Sequence, residues 1–164
     1  MPLLYRKAEP EDFPALERLL ELYQYELSDI WHQNLDDQGR YGYDLGRHKE
    51  GTRFHAHVAL DGGQYAGFAL VAPAAVTRTD GSWMEQFFVL KRHRRLGAGT
   101  ALARHVFNCH PGPWEVGQMA TNLAALAFWR KVVAEVTAGE FTEVQVTEGW
   151  WQGVVQCFNI PAVG

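Results

Sequence analysis

A short basic segment stands directly before two glycines in this chain of 164 residues. Residues 91–100 read KRHRRLGAGT, so four cations and a histidine precede Leu96, Gly97, Ala98 and Gly99. Arginines offer bidentate, charge-assisted hydrogen bonds to phosphate oxygens. Glycines remove the side chains that would keep a phosphate away from backbone amides. The segment therefore predicts a binding site for phosphate groups.

The elements around this segment are predicted to place its amides at the start of a helix. SWMEQFFVL, residues 82–90, has the aromatic and β-branched content of a strand, and GTALARHVFN, residues 99–108, is predicted to be a helix. The first turn of a helix carries unpaired N–H groups and the positive end of the helix dipole. Strand, basic glycine turn and helix together describe a cradle for pyrophosphate.

The whole chain is predicted to combine strands and helices without a domain linker. In order it reads strand, helix, loop, three strands, helix, strand, helix and two strands. The three central strands, within residues 53–90, are separated by DGG at 61–63 and DG at 80–81, which favours an antiparallel meander. Residues 28–52 are predicted to be one long polar loop. We therefore predict a single α/β (α+β) domain over residues 1–164.

Composition and charge argue against several classes of protein. The formal net charge is -4, which disfavours a nucleic-acid partner. No apolar run reaches the roughly 18 residues of a membrane-spanning helix, and the N-terminus lacks the apolar core of a secretory signal. Cys109 and Cys157 are far apart, so neither a disulfide framework nor a zinc motif is expected. These features predict a cytoplasmic protein that binds neither membrane nor nucleic acid.

Two common nucleotide-binding motifs do not fit the glycine turn. The Walker pattern G-x-x-x-x-G-K-S/T does not occur in the sequence. The dinucleotide fingerprint G-x-G-x-x-G/A would place Leu102 at its last position, and it needs an acid about 20 residues further on, near Gln118. The pattern that still needs an explanation is Arg94-x-x-Gly97-x-Gly99, which directly follows a predicted strand.

A second set of spaced residues lies downstream, in NLAALAFWRKV from Asn122. This segment is similar to the N-x-x-A-x-x-F-Y-x-K helix of the GNAT superfamily of N-acetyltransferases. The glycine turn resembles that family's acetyl-coenzyme A motif, R/Q-x-x-G-x-G/A, and the order of elements follows the family across nearly the whole chain. The likeness is strongest to a branch of predicted bacterial acetyltransferases. It implies a mixed, mostly antiparallel sheet, splayed between strands four and five and flanked by helices.

The resemblance also implies which residues bind acetyl-coenzyme A. Backbone amides of the glycine turn would hold the pyrophosphate, and main-chain groups of Phe88 and Val89 would pair with the pantetheine arm. Asn122 would hydrogen-bond that arm, and Phe128 and Trp129 would pack along it near the thioester. The implied cofactor-binding set is Phe88, Val89, Arg94, Arg95, Leu96, Gly97, Ala98, Gly99, Thr100, Asn122, Phe128 and Trp129.

The implied activity is direct transfer of acetyl to a primary amine in a ternary complex. Trp129 stands where many family members have a tyrosine that protonates the departing thiolate. An indole N–H is a hydrogen-bond donor without acid chemistry near neutral pH, so we assign no general acid. This departure keeps open an alternative, a catalytically inactive module that binds acyl-coenzyme A.

Glu85 is the candidate general base, because an attacking amine must be neutral and a carboxylate can take its proton. Two-residue alternation places it on the same side of its strand as Phe87 and Val89. An acid in an otherwise apolar strand is either paired or functional, and a salt bridge to a neighbouring strand remains the alternative. The family's usual glutamate would align nearer Trp83.

The acceptor, a small-molecule or peptide amine, is expected to bind between the first helix, the following loop and the last hairpin. Tyr25, Tyr41 and Tyr43 are the candidate contacts. Three acidic residues of the loop would suit a cationic amine, namely Asp36, Asp37 and Asp44. Trp150 and Trp151 could contribute to a homodimer surface.

Two histidines share one strand face and raise the question of a metal site. His55 and His57 stand in FHAHV, but the sequence offers no third ligand at useful spacing. No metal cofactor is therefore expected.

Overall fold

The structure is a computed structural model that describes residues 3–163. Short 3-10 turns lie at Pro10–Asp12 and Lys91–His93. The helices are α1 Phe13–Glu26, α2 Gly46–Glu50, α3 Ala98–Cys109 and α4 Leu123–Thr137. The strands are β1 Leu4–Lys7, β2 His55–Asp61, β3 Gln64–Pro73, β4 Ser82–Val89, β5 Gly112–Gln118, β6 Thr142–Val146 and β7 Gly153–Ile160.

One seven-stranded sheet, ordered β1-β2-β3-β4-β5-β7-β6, forms the centre of the fold. Its neighbours are antiparallel except β4 and β5, which are parallel and pair only at Ser82 with Trp114 and at Trp83 with Glu115. Beyond these pairs the two strands separate, so a slot opens between their C-terminal halves. The predicted mixed, mostly antiparallel sheet with a splay between strands four and five is confirmed.

The turns of the meander follow from local sequence and from one buried acid. Gly62 and Gly63 connect β2 to β3 with φ of 56° and 84°, the paired positive angles of a type I′ hairpin. The loop before β4 is held by Glu115, a fully buried carboxylate that accepts hydrogen bonds from the amides of Ala75, Val76 and Thr77. Glu115 is therefore a structural acid, because its oxygens are occupied by the loop.

The helices cover both faces of the sheet and form two separate cores. On one face α3 and α4 pack around Phe107, Trp114 and Trp129. On the other face α1 packs an apolar stripe against β2, β3 and β4, and Leu16 and Leu20 are almost completely buried. None of the helices among the described residues is both long and apolar enough to cross a membrane.

The predicted loop at 28–52 contains a helix that sequence periodicity did not reveal. α2 is only five residues long and ends at Gly51, which has a φ of 69°. Its position depends on buried neighbours, since Leu45 and His48 are 1% and 5% exposed. A helix this short has little stability of its own and forms because tertiary contacts hold it.

Candidate active site

The glycine turn presents unpaired backbone amides at the start of α3. The first amide of this helix with a backbone acceptor is Ala101, which donates to Gly97 at 3.0 Å. Within residues 3–163, the amides from Arg95 to Thr100 have no hydrogen-bond acceptor. Arg95 also holds a positive φ of 69°, a conformation that is costly for a non-glycine residue and is typical of ligand-binding sites. This arrangement fits an anion better than it fits an ordinary loop.

Glycine is required at Gly97 and at Gly99 for two different structural reasons. Gly97 precedes the helix with a φ of 78°, and a β-carbon there would have no heavy atom within 4 Å. Gly99 is needed for packing, because a β-carbon would lie 3.0 Å from the ring of Phe128 on α4. The sequence explanation, that both glycines make room for phosphate, omits this contact between the helices.

Arg94 does not extend its guanidinium into the cradle as the sequence analysis expected. Its Nε donates to the carbonyl of Val89 at 2.7 Å, and Nη2 donates to Glu26 at the end of α1 at 2.6 Å. The guanidinium also lies over the ring of Phe88. Arg94 thus joins α1 to the end of β4, whereas the exposed Arg95 has no side-chain partner among the described residues.

Replacing Arg94 with alanine is expected to lower the free energy of unfolding by about 1 kcal/mol. Charge-assisted hydrogen bonds are worth somewhat more, but this guanidinium is 37% exposed and solvent weakens its ion pair. Urea denaturation of the variant measures the loss. Arg92→Ala is the control, because Arg92 is exposed. Equal stability of the two variants would contradict a positioning role for Arg94.

The register of β3 and β4 decides which main-chain groups face the slot. The Leu90 amide donates to the carbonyl of Ala66, and pairs in an antiparallel ladder alternate between bonded and non-bonded. Phe88 is therefore bonded to Phe68 of β3, and Phe87 and Val89 turn their main-chain groups toward the slot. In this register the main-chain groups of Phe88 face β3 instead of the slot, contrary to the expectation, and those of Phe87 lie on the slot side.

The residues of α4 line the slot or support it. Asn122 caps the helix, since its Oδ1 accepts a hydrogen bond from the Ala125 amide at 3.2 Å, and its side-chain nitrogen remains available. Phe128 is half-buried and packs against Phe87. Trp129 is only 6% exposed and packs with Phe87 and Phe107 in the core.

Glu85 lies at a β-bulge, which changes the face on which it was expected. Leu70 pairs with Gln86 and Val71 pairs with Met84, so Glu85 is the extra residue of β4. A bulge redirects side chains locally. Met84 and Phe87 consequently both pack toward α3 and α4, whereas Glu85 faces α2. The alternation that placed Glu85 beside Phe87 and Val89 is wrong.

The Glu85 carboxylate pairs with a buried histidine of α2. Its Oε1 lies 2.8 Å from Nε2 of His48, with the two side chains 25% and 3% exposed. Nδ1 of His48 is buried and has no hydrogen-bond partner. The alternative of a salt bridge is thus realised, but with α2 rather than with a neighbouring strand. Enough of the carboxylate remains accessible to meet a ligand.

A chain of neutral amides borders Glu85 on one side. Gln86 accepts a hydrogen bond from buried Gln24 of α1, Gln24 accepts one from Gln33, and Gln33 accepts one from the hydroxyl of Tyr43. The sequence analysis missed these glutamines. The available signal was Gln24, a polar residue that follows Leu20 by one helical turn on the buried stripe of α1.

An aromatic pair stands near the start of β4, and one of its members is two residues before Glu85. The rings of Trp83 and Trp151 are 5.2 Å apart, and both stand over Gly117, where a β-carbon would come within 2.5 Å of each ring. Trp151 is therefore packed against the sheet and is not a free surface for dimerisation. Trp150 is 67% exposed and donates to the carbonyl of Ala75.

The residues expected to contact the acceptor, on α1 and in the following loop, have different surroundings. Tyr43 binds Gln33 beside the amide chain, the Tyr41 amide binds Glu21, and Tyr25 is 71% exposed. Asp36 accepts from the amides of Gln38 and Arg40, and these hydrogen bonds lower the pKa of its carboxyl. Asp44 likewise binds the amide of Gly46. Both acids hold their own loop.

The histidines of β2 also have unexpected neighbours. His57 meets His105 and Cys109 of α3, so tertiary structure supplies the third ligand-type side chain that the sequence spacing did not show. These residues lie at the C-terminal end of α3, whereas the glycine turn lies at its N-terminal end.

Solved structures share this arrangement of elements. An acetyltransferase from Thermus thermophilus has a TM-score of 0.69 at 17% identity, with 98% of each chain covered. PaiA N-acetyltransferase from Thermoplasma acidophilum, in complex with coenzyme A, has a TM-score of 0.67 at 13% identity, covering 97% of this chain and 99% of that one. A ribosomal-protein-alanine N-acetyltransferase from Brucella melitensis has a TM-score of 0.62 at 20% identity, covering 96% and 99%. At these identities the likeness concerns the fold.

Sequence comparison addresses the family directly. No protein of curated function matches the chain. A profile of the acetyltransferase (GNAT) family matches residues 15–133, a range that includes the slot, the glycine turn, Glu85 and most of α4. The unpaired amides and the splayed strands lie within this matched range, and together with it they show that the chain belongs to the GNAT acetyltransferase family.

Proposed function

We propose that the protein transfers the acetyl group of acetyl-coenzyme A to a primary amine by direct attack in a ternary complex. The observation that carries this proposal is the run of amides without an acceptor, from Arg95 to Thr100, at one end of the slot between β4 and β5. Glu85 lies on β4, which borders the same slot. A long, thin donor with phosphates at one end fits this arrangement.

The donor side is assigned from the groups that remain unpaired. The amides of residues 95–100 and the side chain of Arg95 would bind the pyrophosphate. The carbonyl of Phe87 and the amide of Val89 would pair with the pantetheine arm, since the Phe87 amide donates to Tyr23 and the Val89 carbonyl is already bound by Arg94. The free side-chain nitrogen of Asn122 and the ring of Phe128 would complete the slot.

Glu85 is assigned as the general base. The neutral amine nitrogen forms a bond to the thioester carbonyl carbon, the carbon–sulfur bond breaks, and coenzyme A leaves as the thiolate. The amine proton goes to the Glu85 carboxylate, and the thiolate takes a proton from solvent. A thiol of pKa about 8.5 tolerates this departure without a dedicated acid.

The acceptor side favours an amine that carries amide or aromatic groups. Gln86, next to Glu85, is hydrogen-bonded to Gln24, and Trp83, two residues before Glu85, packs against Trp151. Asp36 and Asp44 are engaged within their loop, which weakens the expectation that these acids bind a cationic amine. A peptide amine is the acceptor class that matches hydrogen-bonding amides beside aromatic rings.

An inactive acyl-coenzyme A-binding module is the second candidate, and Trp129 is the observation that favours it. The indole lies in the core where many relatives have an acidic hydroxyl. Tyr23 does not replace that hydroxyl, because burial and the charge of Glu26 raise its pKa to about 12.

Release of free thiol from acetyl-coenzyme A separates the two candidates. The amine panel is a peptide with an N-terminal alanine, an N-blocked lysine peptide, spermidine and an arylethylamine, with hydrolysis in the absence of amine as the baseline. We expect the N-terminal peptide to give the fastest release, and the product mass to show one added acetyl group. Binding of acetyl-coenzyme A without turnover of any amine would support the inactive module.

A further inference from the structure

A cluster of metal-binding side chains lies where β2 meets the C-terminal end of α3. Nδ1 of buried His57 is 3.1 Å from Nε2 of His105, and Sγ of Cys109 is 3.7 Å from the same Nε2. One ligand atom of each of the three residues lies within 4.8 Å of the other two. We propose that His57, His105 and Cys109 bind one divalent transition-metal ion with the ligand preferences of zinc.

The spacing of the three side chains suits a tetrahedral ion. His105 and Cys109 are four residues apart on α3 and therefore share one face of the helix. When one zinc ion binds tetrahedrally at ordinary bond lengths, two of its nitrogen ligands lie about 3.3 Å apart, and a nitrogen and a sulfur ligand lie about 3.6 Å apart. The observed 3.1 and 3.7 Å are close to these values. Cys109 is exposed, so its thiol can turn toward His57 without repacking the core.

A fourth residue orients the buried ligand. Nε2 of His57 lies 2.8 Å from Nε2 of His110, so a His57 Nε2–H donor to His110 leaves the Nδ1 lone pair free for the metal. Metal-binding histidines commonly donate their second N–H to such a partner. His110 is itself held, because its carbonyl accepts from Trp114 and its ring lies against His55. His110 is therefore a positioning residue rather than a ligand.

The surroundings of the cluster shift the pKa values of its members. Burial lowers the pKa of His57 to about 3 and also lowers the pKa of His105. Lys7, opposite His57 on β1, is the charged group that faces the cluster. Burial raises the pKa of the Cys109 thiol and the charge of Lys7 acts against it. Binding must therefore release the thiol proton.

The proposed ion would support the fold without touching the reaction. α3 has 12 residues, so the cluster and the glycine turn are separated by roughly 17 Å along the helix. With three protein ligands, the fourth position is left for water. The ion would fasten the end of α3 to β2, and binding to the folded state alone raises stability. The inference is independent of acetyl transfer.

Titration with cobalt(II), a spectroscopic substitute for zinc, tests the site in the full-length, chelator-treated protein. We expect one ion per chain, a thiolate-to-cobalt charge-transfer band in the near ultraviolet, and displacement by Zn²⁺ with a rise in Tm. Cys109→Ser is expected to lose the band and to weaken Zn²⁺ binding at least tenfold. Cys157→Ser is the matched control and is expected to retain both.

Two further variants keep the test decisive, because a change at buried His57 can prevent folding. His105→Ala, at a half-buried position, is expected to weaken Zn²⁺ binding as strongly as Cys109→Ser. His110→Gln is expected to retain the charge-transfer band while weakening Zn²⁺ binding about tenfold, as loss of an orienting partner does. Absence of the band in the unmodified protein, or equal behaviour of the two cysteine variants, would overturn the proposal.

Discussion

Replacing Glu85 with glutamine is expected to lower kcat for acetyl transfer by about 10²- to 10³-fold, the usual contribution of a general base. A glutamine side chain can still accept a hydrogen bond from His48, so the bulge and α2 should keep their positions. It cannot take a proton from the attacking amine. The KM for acetyl-coenzyme A should stay unchanged, because the proposed binding site of the donor is the glycine turn.

The pH dependence of the Glu85→Gln variant distinguishes a base from a structural acid. Raising the pH increases the neutral fraction of the amine for both proteins. The variant must also give up the amine proton to hydroxide, so its kcat/KM should rise more steeply with pH than that of the unmodified protein. Both are measured with the panel amine that gives the fastest thiol release. Glu17→Gln makes the same chemical change at an exposed site that pairs with Lys49, and it should leave the kinetics unchanged. A Glu85→Gln variant with more than half the original kcat would show that another group accepts the proton.

Replacing Gly97 with valine is expected to raise the KM for acetyl-coenzyme A by about 100-fold. A β-branched residue strongly disfavours the φ of 78° at this position, so the chain must rotate and turn the following amides away from the pyrophosphate. Loss of two charge-assisted hydrogen bonds corresponds to about 3 kcal/mol, which is roughly two powers of ten in affinity. Steady-state kinetics and calorimetric binding of coenzyme A measure the effect.

Gly97→Asn is the matched control for this conformational argument. Asparagine adopts positive φ more readily than other non-glycine residues, and no heavy atom lies within 4 Å of the position of its β-carbon. We expect its KM for acetyl-coenzyme A to stay within about fivefold of the original, and both variants to remain folded by circular dichroism. Equal losses for valine and asparagine would mean that backbone conformation at Gly97 is not the cause.

Features encoded in short stretches of sequence were predictable here. The type I′ hairpin follows from Gly62 and Gly63, and the start of α4 follows from Asn122, because each depends on the conformational preferences of neighbouring residues. The apolar stripe of α1 and the glycine turn before α3 are local in the same sense. Their motifs carry the resemblance to the GNAT family, and that resemblance implied the splayed fold and the proposed donor-binding end of the site.

Features that join distant residues required the tertiary structure. The side of the sheet on which Glu85 lies depends on a β-bulge in the pairing of β4 with β3. Its partner His48 lies on α2, a short helix that is held by tertiary contacts. Arginine commonly binds phosphate, but the guanidinium of Arg94 donates a hydrogen bond to Glu26 on α1 instead. The gathering of His57, His105 and Cys109 likewise requires β2 and α3 to meet. The sequence by itself determined that the amides of the glycine turn can bind an anion, because that chemistry is local. Only the tertiary structure decided which main-chain groups of β4 face the slot and which side chains remain free to act.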